Sequence, residues 1–160
     1  MKTILDPASG GRAFYFNKQD PRVMFGDIRE NEQHLLTNGQ TINIKPDMVM
    51  DFRSLPFDDE SYNTVIFDPP HLTGLSEKSW LRKKYGVLNK DTWRDDIAAG
   101  FRECFRVLKT NGVLIFKWNE YVIPTKDVIK LAGQQPIIGH PSGKRMQTHW
   151  LMFIKESHAS

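Results

Sequence analysis

Val65-Ile66-Phe67-Asp68-Pro69-Pro70-His71 sets the fold. Thr64–Phe67 reads as a short strand, and a brief apolar run of this kind suits a strand buried on both faces. An acid and two prolines stop it, because proline lacks the N–H that a ladder needs and locks φ. The pattern repeats along the chain. Thr3–Leu5 leads to Asp6, Arg22–Phe25 to Asp27, and Asp47–Met50 to Asp51. A single strand-end aspartate is equally well a turn former or helix cap. Four in series point to an open α/β sheet that binds its ligand at the carboxyl ends of the strands. Val113–Trp118 and Trp150–Lys155 are the remaining strand candidates.

The connecting segments agree with that sheet. Trp93, Ile97, Phe101, Phe105 and Leu108 recur at helical spacing, which predicts a helix from about Thr92 to Leu108. Thr92 and Asp95 form its expected N-cap pair, and Asn111-Gly112 its end. A second helix is expected between Pro124 and Gly133, and a short one around Phe14 and Phe16 before Pro21. Between Gln33 and Ile44, two alternating segments flank Asn38-Gly39, a dipeptide that favours a type I′ turn and hence an inserted β-hairpin.

With 160 residues, 39% of them hydrophobic and 26% charged, the chain suits one globular domain over residues 1–160. No apolar run approaches the roughly 18 residues of a membrane span, and no leader pattern precedes the first strand. A cytoplasmic protein without a membrane partner is the expectation. Cys104 stands alone, so neither an intrachain disulfide nor a Cys-rich zinc site is expected, and no metal is assigned. The net charge of +3 permits a polyanionic partner without demanding one. Its distribution says more: Lys78, Arg82, Lys83 and Lys84 form one basic knot, and Lys144 and Arg145 another. The first knot is interleaved with Trp80 and Tyr85, which suits phosphate neutralisation plus base stacking, or equally an exposed loop with its tryptophan tucked inward. Lys117, Trp118 and Asn119 end the fifth strand, and at least one of them, Lys117 foremost, is expected to line a substrate pocket.

Ile4-Leu5-Asp6-Pro7-Ala8-Ser9-Gly10-Gly11 is a strand, an acid and a small-residue turn. It has neither the dinucleotide glycine fingerprint nor the Walker lysine, which disfavours a phosphate cradle. The segment resembles the first motif of class I S-adenosylmethionine-dependent methyltransferases, although Arg12 stands where that family usually has glycine. The resemblance runs from Asp6 to Lys155 and includes Asp51-Phe52-Arg53-Ser54-Leu55-Pro56-Phe57 and the polar stretch after it. It implies a Rossmann-like class I methyltransferase domain, with a mostly parallel seven-stranded sheet, an antiparallel last strand and the extra hairpin. It further implies that S-adenosyl-L-methionine is held by Asp6, Pro7, Ala8 and Gly10 at its methionine end. Asp27 would meet the ribose hydroxyls, and Asp51 and Phe52 the adenine.

Asp68-Pro69-Pro70-His71 resembles the Asp-Pro-Pro-aromatic motif of nucleic acid amino-methyltransferases. An adenine N6 amine is a poor nucleophile because its lone pair is delocalised into the ring. Two acceptors, the Asp68 carboxylate and a backbone carbonyl held by Pro69 and Pro70, would draw its N–H bonds and localise that pair toward the methyl donor. His71 stands where the family has Tyr, Phe or Trp. It can stack on an extruded base, or it can titrate near neutral pH as those residues cannot. Asp in first place implies adenine N6 rather than cytosine N4, and DNA ahead of RNA. With no separate target-recognition domain, recognition falls to loops, a homodimer or a partner subunit. An RNA, small-molecule or protein methyltransferase, or a cofactor-binding subunit without catalysis, are the alternatives.

Overall fold

The computed structural model describes residues 1–76, 79, 82 and 86–157. Lys78, Lys83 and Lys84, named above as phosphate contacts, lie outside the described residues, as do Trp80 and Tyr85. The strands are β1 (Ile4–Asp6), β2 (Val23–Asp27), β3 (Glu32–Leu35), β4 (Thr41–Ile44), β5 (Met48–Val49), β6 (Tyr62–Phe67), β7 (Leu108–Asn119), β8 (Ile138–Ser142) and β9 (Thr148–Ile154). The helices are α1 (Trp93–Val107) and α2 (Thr125–Ile129), the latter continued by a 3₁₀ turn, Lys130–Ala132.

Among the described residues one sheet has seven strands in the order β5-β2-β1-β6-β7-β9-β8. β5, β2, β1, β6 and β7 run parallel, while β9 is antiparallel to both β7 and β8. The chain leaves β1 toward β2 on one side and returns to β6 on the other, so the strand order reverses between β1 and β6. A ligand crevice opens at the carboxyl ends of such a pair. This is the Rossmann-like α/β architecture expected from the sequence, antiparallel β9 included.

α1 holds the sheet together from one face. Its Trp93, Ile97, Phe101, Cys104 and Val107 are buried at helical spacing, and Phe101 meets Phe116 at 4.7 Å and Phe67 at 5.5 Å between ring centroids. Each buried aromatic of this kind contributes about 1.5–3 kcal/mol. Gly100 lets the helix come close: a Cβ there would lie 2.5 Å from Phe67 and 2.8 Å from Phe52. Among the described residues no helix is long and apolar enough to cross a membrane.

Several local expectations are corrected. Thr92 makes no side-chain cap; its hydroxyl donates instead to Asp96, 2.8 Å away, one position beyond the expected Asp95. The helix ends at Val107 rather than at Asn111-Gly112. Those two residues form an irregularity inside β7, where pairing with β6 jumps from Tyr62↔Leu108 to Thr64↔Val113 and Asn111 takes φ 63°. No helix forms around Phe14 and Phe16. Phe14 is drawn against Trp150, Tyr15 against Phe25 and Asp6, and these tertiary contacts override the helical option.

The hairpin β3–β4 pairs Leu35 with Thr41, but its turn is not type I′, because Gly39 has φ 81° while Asn38 is not left-handed. The Gly39 N–H donates to the Leu36 carbonyl and the Leu36 N–H to the Gln40 carbonyl, which is a three-residue loop closed by glycine. Pro141 and Ser142, expected in a loop, belong to β8. β8 is an edge strand, where a missing N–H costs little.

Candidate active site

The turn after β1 is built over a buried acid. Asp6 is fully buried, and it accepts hydrogen bonds from the Ala8 N–H at 3.2 Å and the Tyr15 hydroxyl at 2.8 Å. Burial pushes its carboxyl up to about 7, the Tyr15 hydrogen bond opposes that, and Asp68 and Asp27 add to it. The turn then passes through two left-handed positions, Gly10 at φ 49° and Arg12 at φ 55°. Arg12 adopts the conformation that glycine would take more easily, and its side chain compensates. The guanidinium reaches the Lys18 and Lys45 carbonyls and lies 3.8 Å above the Phe25 ring.

Asp27 and Asp51 end the neighbouring strands in the same way. Asp27 accepts from the Gly10 N–H at 2.9 Å, the Arg29 N–H at 3.0 Å, and Arg29 Nε and Nη2 at 2.8 and 3.0 Å. Those four donors use the ordinary capacity of one carboxylate. Asp51 is clasped by Arg53, whose other end reaches Asp96 at 3.2 Å on the first turn of α1. The arginine holds the Asp51 carboxyl below its usual range, against partial burial.

Asp68 follows β6 directly. Its Oδ2 accepts from Lys117 Nζ at 3.1 Å, and 22% of its side chain remains exposed. Burial raises its carboxyl above the ordinary value, against the Lys117 ammonium, which lowers it. His71 turns its ring edge to Trp118, with centroids 6.2 Å apart. Burial first, and then Lys117, lowers the imidazole to about 4. His71 is therefore neutral throughout the neutral range, which corrects the expectation that it might titrate there and leaves stacking as its chemistry.

Among the described residues these groups surround two adjoining cavities. The first, of about 470 Å³, is lined by Pro7, Ala8, Asp27, Asp51, Phe52 and Pro70. The second, of about 590 Å³, is lined by Gly10, Phe14, Asp68, Pro69, His71 and Lys117. Asp68-Pro69-Pro70-His71 is thus the partition, with Pro70 on one side and the other three on the other. Ala8 and Arg29 line both cavities.

The remaining sequence candidates are placed differently. Asp6 lies beneath the cavities rather than on a wall. Arg82 lines the first cavity and donates to the Leu75 carbonyl at 3.1 Å. Lys144 and Arg145 are exposed in the β8–β9 turn, on the same rim as the carboxyl end of β7, and line neither cavity.

Three contributors escaped the sequence reading. Arg29 is the first, and its signal was present: Asp20-x-Arg22, Asp27-x-Arg29 and Asp51-x-Arg53 share one spacing and one geometry, with the arginine N–H and guanidinium both on the aspartate. Phe14 lines the second cavity and carried no local signal. The hairpin is the third. Glu32 and His34 line the first cavity and Thr41, Ile42 and Asn43 the second, so it roofs both.

Comparison with known proteins bears on the fold. No protein-family profile and no curated protein matches the sequence. Solved structures do match. The PH0226 protein of Pyrococcus horikoshii superposes with a TM-score of 0.59 at 17% identity, over 96% of this chain and 81% of that one. The methyltransferase of a Haloferax volcanii complex with the Trm112 methyltransferase activator gives 0.52 at 12% identity, over 98% and 83%. The 16S rRNA N2 methyltransferase RsmC of Thermus thermophilus, in complex with AdoMet and guanosine, gives 0.57 at 13% identity. It matches over 100% of this chain and 36% of its own. The fold is that of the class I methyltransferases. At these identities the likeness extends to architecture, and the chemistry rests on the side chains described above.

Proposed function

We propose that the chain is an S-adenosylmethionine-dependent methyltransferase acting on an exocyclic base nitrogen of nucleic acid, with adenine N6 of DNA as the first target. The observation that carries this reading is the Asp68-Pro69-Pro70-His71 partition between the two cavities. A transferase needs donor and acceptor in separate compartments that share one wall, and here amine-accepting groups form that wall.

The first cavity fits the cofactor. Its volume lies within the usual range of about 300–1,000 Å³ for small-molecule sites. Its carboxylates suit hydroxyl and amine donors rather than phosphate. Phe52 offers a ring face to the adenine, Asp51 an acceptor for its exocyclic amine, and Asp27 acceptors for ribose hydroxyls in exchange for Arg29. The turn at Pro7, Ala8 and Gly10 holds the methionine end. When bound, S-adenosylmethionine supplies an electrophilic methyl group on its sulfonium.

In the second cavity, Asp68 accepts one N–H of the target amine. A carbonyl of the Pro69-Pro70 turn accepts the other, and the nitrogen lone pair is freed toward the shared wall. His71, neutral at pH 7, stacks on the base from a dry pocket. Extruding a base costs a few kcal/mol, which stacking helps to recover. The Lys78–Lys84 knot, Lys144 and Arg145 are proposed to meet the phosphate backbone. An RNA target is the second reading, favoured by the likeness to RsmC, whose structure contains guanosine. The likeness to a methyltransferase held by an activator makes a partner subunit a further part of the proposal. Incubation with labelled S-adenosylmethionine and separate DNA, RNA and protein pools, followed by nucleoside analysis, tests this directly. N6-methyladenine from DNA is the expected product; label in protein alone overturns the reading.

A further inference from the structure

The Lys117 ammonium is the meeting point of more groups than any other cation at the site. It lies 3.1 Å from Asp68 Oδ2, 5.5 Å from the Phe14 centroid and 5.7 Å from the Trp150 centroid. Phe14 and Trp150 pack edge to face at 5.2 Å, so they form a corner whose open side faces the carboxylate. Backbone pairing fixes the strand beneath. Phe116 is level with Phe67, which places Lys117 beside Asp68 as β6 ends, and Lys117 is paired with Trp150 across β9. A lysine on a flexible stem is ordinarily a mobile point charge. Here the two rings and the carboxylate hold it, and only 24% of its side chain is exposed.

That geometry divides the labour of the Asp68 carboxylate. Oδ2 is occupied by Lys117, whereas Oδ1 has no hydrogen-bond partner among the described residues and belongs to a residue that lines the second cavity. We propose that Lys117 is a positioning residue: it holds Asp68 by Oδ2 so that Oδ1 stays an ionised acceptor aimed at the target amine. This role rests on the amino-methyltransferase reading and replaces a direct grip of Lys117 on nucleic acid.

Charge makes the pair necessary. Asp68 shares its neighbourhood with Asp6 on β1, Tyr15 and Lys18 from the segment after it, and Arg29 and His71. Burial pushes the Asp68 carboxyl toward its neutral form, and Asp6 repels its charge. His71, held neutral by burial, offers no positive charge. A protonated Asp68 carries a hydrogen on one oxygen and competes with the amine as a donor. Lys117 opposes that protonation.

The test uses the full-length protein with Lys117→Met and Lys117→Arg. Carbon-13 NMR of labelled aspartate follows the Asp68 carboxyl without any substrate. Removal of the cation should move its titration up by one pH unit or more, and arginine should restore it. With the reactive nucleic acid, the acidic limb of the kcat/KM profile should move up by the same amount. kcat at pH 7 should fall about tenfold or more, since one unit corresponds to a tenfold change. Cofactor affinity, measured by calorimetry, should stay within twofold and certifies a folded site. Unchanged Asp68 titration in folded Lys117→Met overturns the inference. A shifted titration in a protein that methylates no nucleic acid overturns the proposed function and leaves the carboxylate–ammonium arrangement standing. Should Lys117→Met not fold, Lys117→Gln gives the same readouts from a polar, uncharged side chain.

Discussion

Asp6→Asn should make the protein more stable as the pH rises, because it removes a carboxyl that folding must bury. The Asp6 pKa goes from an ordinary 3.8 to about 7 in the folded chain, chiefly through desolvation. For an acid raised in this way the sign is fixed. The carboxyl imposes no penalty below its unfolded value, and the penalty grows as pH climbs from there to the folded value, after which it is constant. At about 1.4 kcal/mol per unit, the shift costs about 4 kcal/mol above neutrality and about 1.5–2 kcal/mol at pH 5. Asparagine keeps the shape but loses one acceptor, with Tyr15 or the Ala8 N–H going short, at about 1–2 kcal/mol independent of pH. The variant should therefore match the parent near pH 5 and exceed it by about 2–3 kcal/mol at pH 8. Urea denaturation of both proteins at pH 5, 6.5 and 8 measures the difference. A stability gap that does not change with pH would show that Asp6 is ionised in the folded state, and would refute the reasoning.

Other variants probe the cofactor and target walls. Asp27→Ala and Asp51→Ala should each weaken S-adenosylmethionine binding tenfold or more by calorimetry, about 1.4 kcal/mol; unchanged affinity in both folded proteins would empty the first cavity of its assigned ligand. Gly100→Ala forces a Cβ to within 2.8 Å of Phe52 and 2.5 Å of Phe67. Overpacking of this kind costs about 1–3 kcal/mol, seen as a lower urea midpoint, and Phe52 should give first because Phe67 is fully buried. Cofactor affinity should fall with it. His71→Phe should retain most activity and His71→Ala lose most; equal loss in both would assign hydrogen bonding to the imidazole.

The sheet was legible because burial on both faces leaves an uninterrupted apolar run, as in Val65–Phe67 and Leu114–Phe116, and strand-end acids punctuate those runs. β8 was not legible, since Gly139 and Pro141 read as loop residues and only an edge position accommodates them. The Asn38-Gly39 turn was located correctly, but its type depends on whether two or three residues close the hairpin, which composition does not decide. The candidate site divides in the same way. Asp27, Asp51 and Asp68 stand at strand ends, where topology dictates what they face. Phe14, Arg29 and the hairpin reach the site through tertiary packing, and their contribution appears only when the chain is folded. The neutral state of His71 is likewise a product of depth and of the Lys117 charge, neither of which is written in the motif.

The chemistry at Asp68 is the most direct test of the whole. Parent and Asp68→Ala proteins are incubated with labelled S-adenosylmethionine and adenine-containing DNA, and the nucleosides are analysed while cofactor affinity is measured in parallel. The expected result is N6-methyladenine from the parent and turnover lower by about a hundredfold or more in the variant, the usual cost of removing one preorganised group at a developing charge. Cofactor affinity should be nearly unchanged, since Asp68 lines the other cavity. A fully active Asp68→Ala protein would contradict the assignment.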